Sequence, residues 1–169
     1  MKFMSNEYNL EKMIWTESDY DKMGWHDSKI HAISFRPDKF EFLLDLDYIF
    51  EWVNPSDNEQ DYKFWVSPVT MVFENTYDVC FDIKTDSGLE IQDIKRDSPR
   101  KPKNADYISK EIEWLWSIEC LQGNISLRSV GYKMYVKSDP ILLNTQSFDL
   151  DQRNGINFIC GKGERAYGI

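Results

Sequence analysis

Hydrophobic and polar residues alternate along residues 40–52. Every second position is large and apolar: Phe40, Phe42, Leu44, Leu46, Tyr48, Phe50 and Trp52. Most of the positions between them are acidic: Glu41, Asp45, Asp47 and Glu51. Because side chains along a strand point alternately to opposite faces, the pattern predicts one long β-strand with a core-facing side and an acidic side. A strand of this length should bend or carry a bulge near its middle.

Similar alternation predicts further strands before and after the long one. The turn residues Arg36-Pro37-Asp38-Lys39 predict a hairpin between the long strand and the strand before it. Pro68 indicates an edge or a bulge in its strand, because proline cannot donate to a ladder. Gln122-Gly123-Asn124 is typical of a hairpin turn. The predicted strands cover residues 30–36, 62–73, 77–83, 112–120, 125–136 and 156–159, with a helix over 107–121 as the competing interpretation of the fourth.

Two segments depart from the strand pattern. Thr16 is followed by Asp19 and later by Gly24, which predicts a short helix over residues 17–23 with an N-cap, an acidic first turn and a glycine stop. Residues 95–106 contain two prolines, and residues 95–103 carry five basic side chains against one aspartate. This composition predicts a solvated loop.

The fold class follows from the number and spacing of these elements. Sequential strands joined by short turns usually pair antiparallel. The chain is therefore predicted to be a single mainly β domain over residues 1–169, with antiparallel sheet or sheets of about seven or eight strands and a short N-terminal helix. A sandwich, an open barrel and a single curved sheet all fit this spacing.

Composition narrows the possible partners and location. The chain has 29 acidic and 20 basic residues and a net charge of −9, which opposes nucleic acid and favours a basic partner. Its 10 Phe, 9 Tyr and 6 Trp exceed what a core requires, so some rings should lie on a contact surface. No run approaches the roughly 20 apolar residues of a membrane span. Three cysteines without a CxxC pair, after an N-terminus lacking an apolar signal core, predict a cytoplasmic protein with reduced thiols.

Motifs of known chemistry are few. Trp25-His26-Asp27 is similar to the His-Asp pair of metal-dependent phosphohydrolases, but His26 and His31 are the only histidines. The favoured interpretation is structural: Asp27 accepts backbone N–H groups at the start of a strand, and His26 packs on Trp25. Neither GxSxG nor SxxK occurs, so no catalytic residue, cofactor or metal is predicted.

The acidic face of the long strand is the candidate binding surface. Glu41, Asp45, Asp47 and Glu51 would form a strip that faces solvent. Paired carboxylates also serve glycoside hydrolysis, but that requires one of them to be buried and protonated. The favoured interpretation is an ordinary solvated face. The functional alternative is a docking face for a basic protein or a cation site, with these four carboxylates as the partner-binding residues.

Three segments together suggest a family resemblance: residues 23–30 (MGWHDSKI), 44–52 (LDLDYIFEW) and 64–75 (FWVSPVTMVFEN). They resemble a group of small uncharacterised bacterial proteins that share a His-Asp-x-x-Ile motif, and some similar groups are toxin-immunity proteins. The resemblance implies a non-catalytic, immunity-like inhibitor that binds a basic toxin. Two alternatives remain: a metal-dependent hydrolase using His26 and Asp27, and a β domain that binds a small ligand on Trp114 or Trp116.

Overall fold

Strands are the main regular structure of the described residues, and helices are nearly absent there. The structure, a computed structural model, describes residues 7–161. Short 3₁₀ helices occupy Glu17–Lys22, Pro37–Lys39 and Ala105–Tyr107. The strands within the described residues are β1 (Ile14–Thr16), β2 (Lys29–Arg36), β3 (Glu41–Val53), β4 (Lys63–Glu74), β5 (Tyr77–Ile83), β6 (Leu89–Arg100), β7 (Glu113–Cys120), β8 (Gly123–Ser129), β9 (Gly131–Val136) and β10 (Ile141–Leu143).

All strand pairs are antiparallel, and they form one open sheet. The strand order is β1-β9-β4-β3-β2-β6-β7-β8-β5, with β10 also pairing with β4. The link between β2 and β6 has only two residue pairs, Lys29 with Glu90 and Ile30 with Leu89. This narrow link joins a half around β3 and β4 to a half around β7 and β8. The predicted mainly β, antiparallel class is confirmed, with ten strands in the described part of the chain rather than seven or eight.

The main core lies between the two halves of the sheet. Phe73 of β4, Tyr132 of β9 and Trp116 of β7 meet edge to face, with ring centroids 5.5–5.8 Å apart. Such packing of fully buried rings removes a large apolar area from water. The predicted core face of β3 contributes Phe42, Leu44, Leu46 and Tyr48 to the same cluster.

The second face of β3 is also buried. Ile49 packs with Phe64, Val66 and Phe148 in a smaller cluster. Phe148 belongs to the segment that follows β10, so this C-terminal segment lies over the outer side of the sheet. The central strand is therefore covered on both faces, as is usual for parallel sheets but not for antiparallel ones.

The N-terminal helix differs from its prediction in type. The predicted capping residues are present: the Thr16 hydroxyl accepts from the Ser18 amide, and Asp19 accepts from the Thr16 amide at 2.9 Å. The helix is 3₁₀ and ends at Lys22, and Met23 after it is extended. Gly24 therefore does not end the helix in a left-handed conformation.

Residues 95–100 were predicted to be loop, and this prediction is wrong. They form the second half of β6 and pair with β7, for example Arg96 with Trp116. The strand tolerates Pro99 because the register shifts between Asp97 and Arg100, which is a bulge. The Arg96 guanidinium lies 4.4 Å from the Trp114 ring centroid, so this charged residue packs on an aromatic ring instead of extending into water.

Several strand predictions change in detail. The predicted strand over 112–120 forms as Glu113–Cys120 and is not a helix, and the hairpin at Gly123 is confirmed. The predicted strand 125–136 forms as two strands, because the extended structure is interrupted at Val130. No strand forms at 156–159, while β10 forms earlier.

Pro68 does not interrupt β4. The Pro68 carbonyl accepts from the Lys137 amide at 3.0 Å. Because the carbonyl and the nitrogen of one strand residue face the same side, the Pro68 nitrogen also faces the place where β9 has ended. There β4 changes partner from β9 to β10, and the missing N–H costs no ladder bond.

Candidate functional site

The predicted acidic strip does not form as one surface. Asp45 and Asp47 are fully buried. Glu41 is half-buried at the start of β3 and pairs with Arg36 at 3.3 Å, whereas Glu51 is exposed at the far end. The prediction of a solvent-facing docking strip is therefore wrong for its two central residues.

Asp45 and Asp47 instead bind the C-terminal segment through an ionic cluster. Arg153 donates from Nη1 and Nη2 to Asp45 and from Nε to Asp47 Oδ1 at 3.0 Å. Lys137 Nζ donates to Asp45 Oδ1 at 2.8 Å, and His31 Nε2 donates to Asp47 Oδ2 at 2.7 Å. We call these five residues the carboxylate clasp.

Backbone groups complete the carboxylate clasp. The Phe148 amide donates to Asp47 Oδ2 at 2.8 Å, and the Asn157 amide donates to Asp45 Oδ2 at 3.0 Å. Burial alone would raise the pKa of Asp45, but hydrogen bonds from Arg153 and the nearby Lys137 charge outweigh it and hold that pKa below its ordinary value. The clasp thus fastens the C-terminal segment to β3 with two anionic and two cationic side chains.

A bulge at the end of β3 creates a different surface. Ile49 pairs with Val66 and Glu51 with Trp65, so Phe50 is an extra residue in the ladder. After this bulge the side chains exchange faces. Trp52 consequently leaves the core-facing side, contacts Phe64 at 5.0 Å between ring centroids, and is 43% exposed.

Trp52 lines a cleft together with acidic groups from three other parts of the chain. The cleft measures about 540 Å³. Tyr62, which is 46% exposed, packs against Trp52 with centroids 6.1 Å apart. We call this cleft the acidic aromatic cleft. Its lining is Asp27, Lys29, Trp52, Asp61, Tyr62, Phe64, Glu90 and residues 144–147.

Of the Trp25-His26-Asp27 motif, Asp27 lines this cleft. Trp25 is buried against Tyr48 at 5.2 Å, which agrees with the predicted structural role. His26 is mostly exposed and neighbours Trp52 rather than packing on Trp25, with centroids 6.3 Å apart. Asp27 has a φ of 66°, and its carboxylate accepts from side chains instead of the predicted backbone groups.

Asp27 is held in place from three sides. Its amide donates to the Ile91 carbonyl at 2.8 Å. Its Oδ2 atom accepts from Gln146 Nε2 at 2.7 Å and lies 3.0 Å from His26 Nδ1. The motif therefore connects β6, the C-terminal segment and the mouth of the cleft.

The electrostatics of the cleft centre on Glu90. Burial raises the pKa of Glu90, and so does the neighbouring carboxyl group of Asp27. Two neighbouring carboxyl groups resist being ionised together. A cation placed between them would relieve this repulsion, so the cleft is suited to a positively charged group.

Within residues 7–161, no group of three or more His, Cys, Asp or Glu side chains is placed to hold a metal ion. Trp116 is fully buried and Trp114 is covered by Arg96, so both rings suggested as a ligand surface already have protein contacts. No helix in the same residues is long and apolar enough to cross a membrane.

Comparison of the chain with protein-family models, curated proteins and solved structures gives no match in any of the three. The resemblance to immunity proteins therefore stays a prediction. Sequence reasoning missed Arg153, Lys137 and Glu90. A buried cation in the tail leaves no local pattern, and Glu90 becomes notable only through its proximity to Asp27.

Proposed function

We propose that this protein is a non-catalytic binding protein that uses the acidic aromatic cleft to dock on a basic protein, as an immunity-like inhibitor does. The observation that carries the proposal is the pair of carboxyl groups, Asp27 and Glu90, beside the exposed rings of Trp52 and Tyr62. Glu41, Asp45 and Asp47 have no part in this binding role. Glu51 adds negative charge at the same end of β3.

An arginine or lysine side chain of the partner fits this cleft chemically. The pKa of Glu90 is raised first by burial and then by the neighbouring Asp27 carboxyl group, and the charge of the partner's side chain would offset the second of these effects. A cation over the face of Trp52 or Tyr62 gains roughly 0.5–2 kcal/mol, with the larger values in desolvated sites. Exposed Trp and Tyr are also the residue types that most often anchor tight protein interfaces.

Long-range charge supports the same proposal. The net charge of −9 attracts a cationic protein and speeds encounter at low salt. Salt screens such attraction with a Debye length of about 8 Å at physiological ionic strength. Association should therefore slow as salt is raised.

The test is affinity capture from bacterial lysate at low salt with four baits: the wild type, Trp52→Ala, Glu90→Gln and Asp86→Asn. Asp86 is exposed in the turn after β5 and outside the cleft, so its variant removes one charge without changing the site. A basic protein should be retained by the wild type and Asp86→Asn and much less by the two cleft variants. With the purified partner, the association rate should fall as salt rises.

Two results would contradict the proposal. One is a partner retained equally by Trp52→Ala and the wild type. The other is a captured protein that is acidic and whose association rate is independent of salt.

A further inference from the structure

A larger cleft lies at the other end of β3, and we infer that it binds a neutral saccharide. It measures about 760 Å³, within the range of small-molecule sites. Its walls come from the first helix, the β2–β3 and β4–β5 connections, residues 104–110 and the start of β9. None of these residues lines the acidic aromatic cleft, so this site is separate from the proposed docking function.

Two aromatic rings in this cleft are open to solvent. Tyr107 is 89% exposed and Phe40 is 63% exposed. Both rings thus offer faces on which the C–H groups of a sugar ring can pack, because the face of an aromatic ring is its negative side. Large exposed apolar groups that line a concave surface are typical of binding sites.

Phe40 is also held in an uncommon backbone conformation. Its φ is 54°, a left-handed value that is unusual for a bulky residue. Its carbonyl accepts from the Thr76 amide at 2.7 Å, and Asn75 beside it is left-handed as well, with a φ of 48°. The surrounding structure therefore maintains a strained residue at a position where its ring is exposed, which is characteristic of functional sites.

The polar groups of the cleft are balanced in charge. Glu17 pairs with Lys110 at 2.8 Å, and Glu74 lies 3.7 Å from Lys133. Glu41 pairs with Arg36 at 3.3 Å, and Lys39 also lines the cleft. The lining thus has three acidic and three basic side chains, so neither an anionic nor a cationic ligand finds an excess of opposite charge. This balance favours a ligand without net charge.

The same groups present donors and acceptors side by side. Asn75 and Asn104 exchange two amide hydrogen bonds, at 2.9 and 2.8 Å, and both residues line the cleft. The carboxylate–ammonium pairs likewise place an acceptor next to a donor. A hydroxyl group both donates and accepts, so neighbouring hydroxyls of a sugar match this arrangement.

The experiment titrates the full-length protein with maltotriose, cellotriose and triacetylchitotriose, followed by amide NMR shifts and calorimetry. At least one trisaccharide should bind with a Kd in the range of about 1 mM or below and shift amides of residues 39–41 and 104–110. Tyr107→Ala should weaken that binding by about tenfold through loss of the ring face. Tyr107→Phe should retain it, because the ring is preserved.

Leu121→Ala is the control, since Leu121 is exposed in the β7–β8 hairpin and outside the cleft. The inference is overturned if none of the three sugars shifts any cleft amide at about 10 mM, a concentration that would populate a millimolar site. It is equally overturned if Tyr107→Ala binds as tightly as the wild type. Basic-partner capture by Tyr107→Ala should be unchanged, which separates failure here from failure of the proposed docking function.

Discussion

Removal of the Arg153 guanidinium is expected to destabilise the fold strongly. Arg153 is buried and donates four hydrogen bonds, three of them to Asp45 and Asp47 and one to the Gly155 carbonyl. Arg153→Met keeps an unbranched side chain but removes every donor and the charge. Both carboxylates then lose their central cation inside the protein.

The magnitude follows from the burial of these groups. Breaking one partner out of a buried ion pair costs about 3–5 kcal/mol, because an uncompensated charge is left inside. Lys137 and His31 remain near Asp45 and Asp47 but cannot reproduce the fork geometry of the guanidinium. This loss is a large part of the total stability of an ordinary domain, which is about 5–15 kcal/mol.

Urea denaturation at neutral pH measures this loss directly. Arg128→Met is the matched control, since Arg128 is half-buried and donates to the exposed Ser98 carbonyl at 2.7 Å. The control should lose about 1 kcal/mol or less. Adding Asp45→Asn to Arg153→Met should recover part of the loss by removing a charge that has lost its partner. The reasoning is refuted if Arg153→Met loses no more stability than Arg128→Met.

The remaining predictions concern pH and backbone geometry. The pKa of Asp45 is lowered in the folded state, so ionised Asp45 stabilises the fold above about pH 4, and this stabilisation is lost as the pH falls through the folded-state pKa. The urea midpoint should therefore drop in that acidic range. A urea midpoint that stays constant with pH would contradict this prediction. The pKa of Glu90 is raised in the folded state, so ionised Glu90 destabilises the fold at neutral pH. Glu90→Gln should therefore raise the Tm at neutral pH but not below pH ~4. An unchanged Tm at neutral pH would count against this prediction. Gly123→Ala should destabilise far more than Gly88→Ala in urea: both have positive φ, but only at Gly123 would a Cβ overlap the Asp82 carbonyl. Equal losses of stability in the two variants would contradict this steric explanation.

The sequence alone predicts β3 and its core face well. A strict alternation of large apolar residues can be satisfied only by extended chain with one side in a core. The same alternation cannot show what covers the acidic side, because the sequence does not distinguish an aspartate that is paired inside the protein from one that faces water. The partner of Asp45 and Asp47 is Arg153, more than a hundred residues away in the sequence.

The candidate site was less accessible to sequence reasoning. Trp52 was placed on the core face, and the bulge that turns it outward was expected only as a general feature near the middle of the strand. One extra residue at Phe50 reverses the side of every later residue, so a small error in bulge position changes the surface completely. Glu90 lies near Asp27 because β6 pairs with β2 and because the Asp27 amide donates to the Ile91 carbonyl, and neither pairing can be seen in the sequence.

The carboxylates of β3 are internal and hold the C-terminal segment on the sheet. Hydrogen exchange at the backbone amides of Phe148 and Asn157 measures this attachment, because these amides donate to Asp47 and Asp45. We predict slow exchange at both amides in the wild type and fast exchange in Arg153→Met. Exchange in the wild type as fast as at the exposed loop residue Asn58 would contradict the claim.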